Sequence, residues 1–210
     1  MSRPVVYVLA GVNGAGKSSI GGHLLTQAGM TWFNPDTFAR ELARHHGYAV
    51  EDANAAAWNE GVRRLERAVS SGKSFAFETT LGGRTIVRKL IAAAATHDIL
   101  VWFCGLRDAE QHIARVRLRV AQGGHDIPEG RIRQRCRTSL LNLLALMPRL
   151  AQLRVYDNSL DVAVGQAIPE PRLVLWMDDG RRIFPATHRE ASTTPDWAKP
   201  LVEAAFADAP

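Results

Sequence analysis

The chain has 210 residues and a formal net charge of +5, from 26 Lys and Arg against 21 Asp and Glu, with few of the cations being lysine. That length suits one domain (residues 1–210, with a core over 4–160 and a hairpin and helix over 161–210), and no long uncharged apolar run offers a membrane span. Two distant cysteines, Cys104 and Cys136, and seven histidines without a ligand spacing such as H-E-x-x-H argue against a disulfide framework or a zinc site; a cytoplasmic protein without a signal peptide is expected.

In chain order, residues 5–10 are a β-branched and aromatic run of the length of a buried parallel strand. Residues 11–19 follow as Gly-Val-Asn-Gly-Ala-Gly-Lys-Ser-Ser, which fills the pattern G-x-x-x-x-G-K-[ST]. Ile20, Leu24 and Leu25 then recur at helical spacing, so the motif has the strand-loop-helix context of a phosphate-binding loop. Gly11, Gly14 and Gly16 permit positive φ, and with Asn13, Ala15 and Ser19 they would let backbone N–H groups face an oxyanion at a helix N-terminus. Lys17 is expected to reach the β- and γ-phosphates of ATP, and Ser18 to give a hydroxyl to Mg²⁺.

Residues 30–33 read as a short second strand, with Asn34 as N-cap and Pro35 at the first helical position. Asp36 then lies at a strand tip, on the sheet edge where open parallel sheets bind ligands. On position alone it reads equally as an acid favoured by the helix dipole. Residues 51–71 form a helix expected to bury Trp58, Val62, Leu65 and Val69. A third strand at 74–77 leads into Glu78-Thr79-Thr80-Leu81-Gly82-Gly83, a helix covers 84–97, and 99–104 is a central strand.

Residues 107–137 are dense in arginine and broken by Gly123-Gly124-His125-Asp126-Ile127-Pro128. Arg115 and Arg119 lie one turn apart, as do Arg131 and Arg135, and like charges so placed cost about 0.2–0.5 kcal/mol per pair. Glu129 can pair with Arg133. For the others either a bound polyphosphate or a solvated basic face satisfies the pattern. The absence of an aromatic-interleaved basic strand or a recognition helix argues against nucleic acid as partner. A last core strand at 155–156 precedes Asp157-Asn158-Ser159; residues 172–177 and 181–184 read as a terminal hairpin through Asp178-Asp179-Gly180, and 195–207 as a closing helix. The expected fold is therefore α/β: a P-loop NTPase with a five-stranded, mostly parallel sheet flanked by helices, an arginine-rich helical lid and a C-terminal β-hairpin. Guanine-binding and ABC signatures are missing, which leaves a small-molecule phosphotransferase whose lid excludes water.

Residues 11–19, Asn34-Pro35-Asp36-Thr37-Phe38, Phe77-Glu78-Thr79-Thr80, the 123–128 segment with Arg131, and Tyr156-Asp157-Asn158-Ser159 together resemble the zeta toxin family of P-loop kinases, in its short chromosomal branch. The resemblance implies ATP-dependent phosphorylation of a nucleotide-sugar hydroxyl, with UDP-N-acetylglucosamine as acceptor, and makes a small antitoxin protein a candidate partner. By the same resemblance Asp36 matches the general base, and Asn34, Phe38, Glu78, Thr79, Thr80, His125 and Arg131 fall on the acceptor side. Arg119, or Arg115 one turn earlier, matches the first lid arginine, and Arg119 is assigned the catalytic role beside Lys17. At the second lid position this sequence has His125, so Arg131 or Arg135 is left to take that role, or the substrate differs. Two other classes compete: a regulatory ATP-binding module that only hydrolyses ATP, and a nucleotide or nucleic-acid-end kinase using the arginine-rich face.

Overall fold

The buried apolar runs form four parallel strands, β1 (Val5–Ala10), β2 (Phe75–Thr79), β3 (Asp98–Gly105) and β4 (Gln152–Asp157), ordered β2-β1-β3-β4. Antiparallel β5 (Arg172–Asp178) and β6 (Arg181–Phe184) continue the same sheet beyond β4. This arrangement comes from a computed structural model, which describes residues 3–18, 21, 31–124, 126–161 and 169–207. It is a P-loop NTPase-like α/β fold with a mostly parallel sheet.

The sheet has six strands where five were expected, for two reasons. The predicted strand at 30–33 reduces to one bridge, Phe33 with Phe77, because the Asn34 cap and Pro35 start a helix at once. Phe33 donates its N–H to Ala76 and accepts from Glu78, and no further residue of that run pairs among those described. The terminal hairpin, in turn, is not an appendage. Its turn residues Asp179 and Gly180 both have positive φ, as a two-residue hairpin loop requires, and β5 pairs with β4 along the latter's full length.

The helices are α1 (Pro35–His46), α2 (Val50–Ser70), α3 (Arg84–Ala93), α4 (Ala109–Ala121), α5 (Glu129–Leu146), α6 (His188–Ala191) and α7 (Lys199–Ala207). Lys17, Ser18 and Gly21 are also helical; Ile20, Leu24 and Leu25 lie outside the described residues. None of the described helices is long and apolar enough to cross a membrane. One apolar cluster joins Val6, Val8, Val101, Phe103, Leu153, Val155 and Leu175 of the sheet to Leu65, Leu90, Leu143, Leu146 and Leu201 of the helices. Leu201 and Val202 of α7 therefore lie in the same cluster as the central strands.

In α2 the buried stripe is Ala53, Ala57, Gly61, Leu65 and Ala68, and Trp58, expected inside, is 49% exposed. Close packing of α1 on α2 explains this, since Ala39 meets Ala53 and Ala57 in a small cluster that a Trp ring could not enter. Leu65→Ala should therefore lower the urea-unfolding free energy by about 2–5 kcal/mol, whereas Trp58→Ala should change it by no more than about 0.5 kcal/mol. Equal losses in the two variants would contradict this placement.

The arginine-rich pair α4 and α5 folds over the phosphate loop, with Ile113, Val116, Ile127 and Ile132 buried against Val12 of that loop. The expected Glu129–Arg133 pair does not form. Glu129 pairs instead with Arg117, and Arg133 with Glu110 at 2.7 Å, because the two helices lie close enough for acids to be supplied across the gap. Arg115 is similarly paired, with Asp161 at 3.4 Å, so a bound anion is not its only available partner.

Candidate active site

The loop conformation follows from its glycines. Gly11, Gly14 and Gly16 all have positive φ. At Gly11 a Cβ would sit 2.2 Å from the Cys104 carbonyl oxygen, and at Gly14 2.8 Å from that of His112, so the chain passes closer to β3 and α4 than any side chain would permit. Cys104, immediately behind the loop, is fully buried, and burial pushes its thiol up to about 12, so it is a packing residue.

At the carboxyl edge of the sheet Leu9 pairs with Glu78 and Ala10 with Thr79, which sets the end of β2 beside the start of the loop. Glu78, only 7% exposed, is the hub there. Its Oε1 lies 3.4 Å from Lys17 Nζ, and its Oε2 accepts from Ser18 Oγ at 2.8 Å and from Asn34 Nδ2 at 3.0 Å. Lys17 Nζ also donates to the Val12 carbonyl at 3.3 Å. The contacts of Glu78 are thus with the phosphate-loop lysine and hydroxyl.

Asn34 serves both sides of the cleft. Its Oδ1 accepts the N–H groups of Asp36 at 2.9 Å and Thr37 at 3.2 Å as the cap of α1, while its amide holds Glu78. Asp36, exposed in the first turn, is thereby fixed two residues from a group that touches the phosphate loop. Phe38 contributes to packing: its ring centroid lies 5.5 Å from that of Phe33, and the Arg64 guanidinium sits over both rings. Thr79 and Thr80 accept the N–H groups of Leu81 and Gly82, and this loop is tied to α5 by Ser139 on the Thr80 carbonyl and Asn142 on the Leu81 carbonyl. Ser19 and His125 lie outside the described residues.

From the lid, Arg115 reaches the Leu160 carbonyl at 3.0 Å in addition to Asp161, and Arg119 packs against the 123–124 turn, where a Cβ on Gly124 would come 2.7 Å from its Cγ. Arg131 is exposed. Arg135 enters the loop itself, where its Nη1 donates to Asn13 Oδ1 at 2.7 Å. Burial holds the Arg135 guanidinium below its ordinary value; Arg131 acts in the same direction and Asp36 against it.

Several participants were not singled out as site residues in the sequence. His112 on α4 is buried, and its Nδ1 lies 2.8 Å from the Asn13 carbonyl oxygen; since a carbonyl only accepts, Nδ1 carries the hydrogen. Asn158 donates to the Ala15 carbonyl at 3.0 Å. Trp197 Nε1 donates to Asp157 at 3.1 Å, and the indole lies where a Cβ on Gly105 would approach it to 2.3 Å. The Asn158 contact had a signal in the Tyr-Asp-Asn-Ser string; a lone His on a helix and a Trp after the hairpin had none.

Burial lowers His112 to about 4. An unfolded histidine near 6.5 binds a proton that the folded one refuses, so stability should be complete above about pH 6.5 and decline by up to about 3 kcal/mol as pH falls to 4. His112→Asn keeps a donor and does not titrate. In urea titrations across that range the variant should lack this part of the slope, and identical slopes would show that His112 is not buried neutral.

Mg²⁺ fits this donor set. Ser18 Oγ and a Glu78 carboxylate oxygen are hard oxygen donors 2.8 Å apart beside Lys17, and magnesium bound with phosphates needs only one or two protein ligands. Among the described residues no group of three His, Cys, Asp or Glu comes together as a separate metal cage.

The sequence matches the family described as AAA domain over residues 6–138, more than half of the chain. No curated protein matches it. Solved structures similar to it include the AvrRxo1-ORF1:-ORF2 complex with ATP, at 19% identity and TM-score 0.68 over 92% of this chain and 64% of that one. A chain from the PezAT chromosomal toxin-antitoxin system of Streptococcus pneumoniae is 14% identical, with TM-score 0.55 over 75% of this chain and 68% of that one. A putative kinase from Chloroflexus aurantiacus is 17% identical, with TM-score 0.54 over 64% of this chain and 78% of that one. At these identities the likeness is one of fold, and this chain spans less than two thirds of the length of the first.

Proposed function

The chain belongs to the AAA domain family, and we propose that it is an ATP-dependent kinase of zeta-toxin type that phosphorylates a sugar hydroxyl of a nucleotide sugar such as UDP-N-acetylglucosamine. The observation that carries this reading is the convergence on one sheet edge of Lys17, Ser18 and Glu78 with Asp36, linked through the two ends of the Asn34 amide. A bare ATPase requires the first three alone. The fourth, set in an Asn-Pro-Asp-Thr-Phe context, provides a proton acceptor on the acceptor side of the cleft.

In the proposed reaction the loop N–H groups and Lys17 bind the ATP phosphates, and Ser18 and Glu78 would hold Mg²⁺, which supplies charge neutralisation between them. Asp36 orients the acceptor hydroxyl and receives its proton, and the lid over Val12 keeps water from the transferring group. Little covalent chemistry is asked of the protein; positioning and electrostatics carry the rate. A small antitoxin is a candidate partner, supported by a neighbour whose structure is of a toxin-antitoxin system.

The test of substrate class is incubation of the protein and ATP with a metabolite extract, read by mass spectrometry. We expect nucleotide sugars heavier by one phosphate. Phosphorylated species confined to sugars without a nucleotide would move the acceptor class, and conversion of ATP to ADP with no phosphorylated product would favour a regulatory ATPase.

A further inference from the structure

We propose that Arg135 on α5 is the arginine that meets the transferred phosphoryl group, and that Gly82 lacks a side chain so that it can. This rests on the kinase reading above. Three elements meet at this residue. Its Nη1 donates to Asn13 Oδ1, inside the phosphate loop, at 2.7 Å. Its Cγ lies 3.0 Å from where a Cβ on Gly82 would be, beside the Thr80 and Thr138 hydroxyls. Asp36, from the start of α1, acts on it electrostatically across the cleft. The guanidinium therefore stands at the loop that binds phosphates, within electrostatic reach of Asp36.

Its partner argues the same way. The hydrogen bond described for Arg135 goes to a neutral amide that is itself only 5% exposed, and Arg131 one turn away repels it. A half-buried cation so placed is under-compensated, and an anion at the loop would restore the balance. Other lid arginines are already committed to acids, Arg117 to Glu129, Arg133 to Glu110 and Arg115 to Asp161. Arg119, the residue favoured by the sequence, packs against the 123–124 turn.

In the transfer, the acceptor oxygen forms a bond to the γ-phosphorus while the bond to the β,γ-bridging oxygen breaks. The electron pair leaves with ADP, and the hydroxyl proton passes to Asp36 and then to solvent. Arg135, with five N–H donors in a fixed fork, turns from Asn13 to the equatorial oxygens whose charge is spread in the transition state.

The experiment compares ADP with ADP plus aluminium fluoride, a mimic of the transferring group, by calorimetry on wild type, Arg135→Ala, Arg135→Lys and Arg119→Ala, together with kcat for ADP release. Wild type should bind the fluoroaluminate complex more tightly than ADP. Arg135→Ala should lose that preference and about 10³ in kcat while binding ADP normally, and Arg135→Lys should recover part of both. Gly82→Ala, checked for an unchanged thermal melt, should lower kcat in the same direction without weakening ADP. Retention of the preference in Arg135→Ala together with its loss in Arg119→Ala overturns the assignment alone. A wild type with no preference for the fluoroaluminate complex and no ADP release overturns the phosphotransfer reading itself, and this inference with it.

Discussion

Replacing Lys17 by alanine is expected to reduce phosphoryl transfer to the level of a no-enzyme control. In the proposed reaction Lys17 is the loop cation that binds the β- and γ-phosphates. The structure adds a second consequence. Lys17 is only 6% exposed and forms a buried ion pair with Glu78, so removing it leaves a buried carboxylate held by Ser18 and Asn34 alone. Breaking one side of such a pair costs about 3–5 kcal/mol, which would confound an activity loss with unfolding. The double variant Lys17→Ala/Glu78→Gln removes both charges and should recover much of that stability without recovering turnover. Near-normal transfer by either variant, once shown to be folded by circular dichroism, contradicts the kinase reading.

Asp36→Asn is expected to lower kcat by about 10²–10⁴ while leaving ATP affinity close to wild type. The substitution preserves shape, and because Asn34 caps the backbone and not the Asp36 carboxylate, the first turn of α1 should stay in place. Asp36 is exposed and makes none of the contacts that Lys17, Ser18 and Glu78 make with one another. ATP affinity by calorimetry and acceptor-dependent ADP release, measured on the same preparations, separate the outcomes. A loss of ATP binding as large as the loss of turnover would make Asp36 a phosphate- or metal-side residue instead.

The loop and its flanking strand could be read from the sequence because backbone geometry alone demands three glycines, a lysine and a hydroxyl at fixed spacing. The strands β1, β2 and β3 were visible as apolar runs, though their order in the sheet was not. The exposure of Trp58 did not follow, since helical periodicity gives a face but not the identity of the helix packed on it, and an Ala-Gly stripe carries a weak apolar signal. The position of Arg135 was equally closed to sequence reading. Arg115, Arg119, Arg131 and Arg135 are alike in spacing, and only the tertiary placement of Asp161 and Asn13 tells that Arg115 is paired with an acid and that Arg135 enters the loop. The hairpin was visible from Asp179-Gly180, but its addition to β4 was not, because strand partners are chosen by the whole sheet. Asn34 was legible as a cap; its second role, bridging to Glu78, depends on a chain crossing.

The central claim is transfer to a sugar hydroxyl, and ATP labelled in its γ-phosphate tests it most directly. With UDP-N-acetylglucosamine present, the label should move into the nucleotide sugar, ADP release should rise with acceptor concentration, and both should fall together in Asp36→Asn. Label appearing only as inorganic phosphate, at one rate with or without the nucleotide sugar and unchanged in Asp36→Asn, would contradict it.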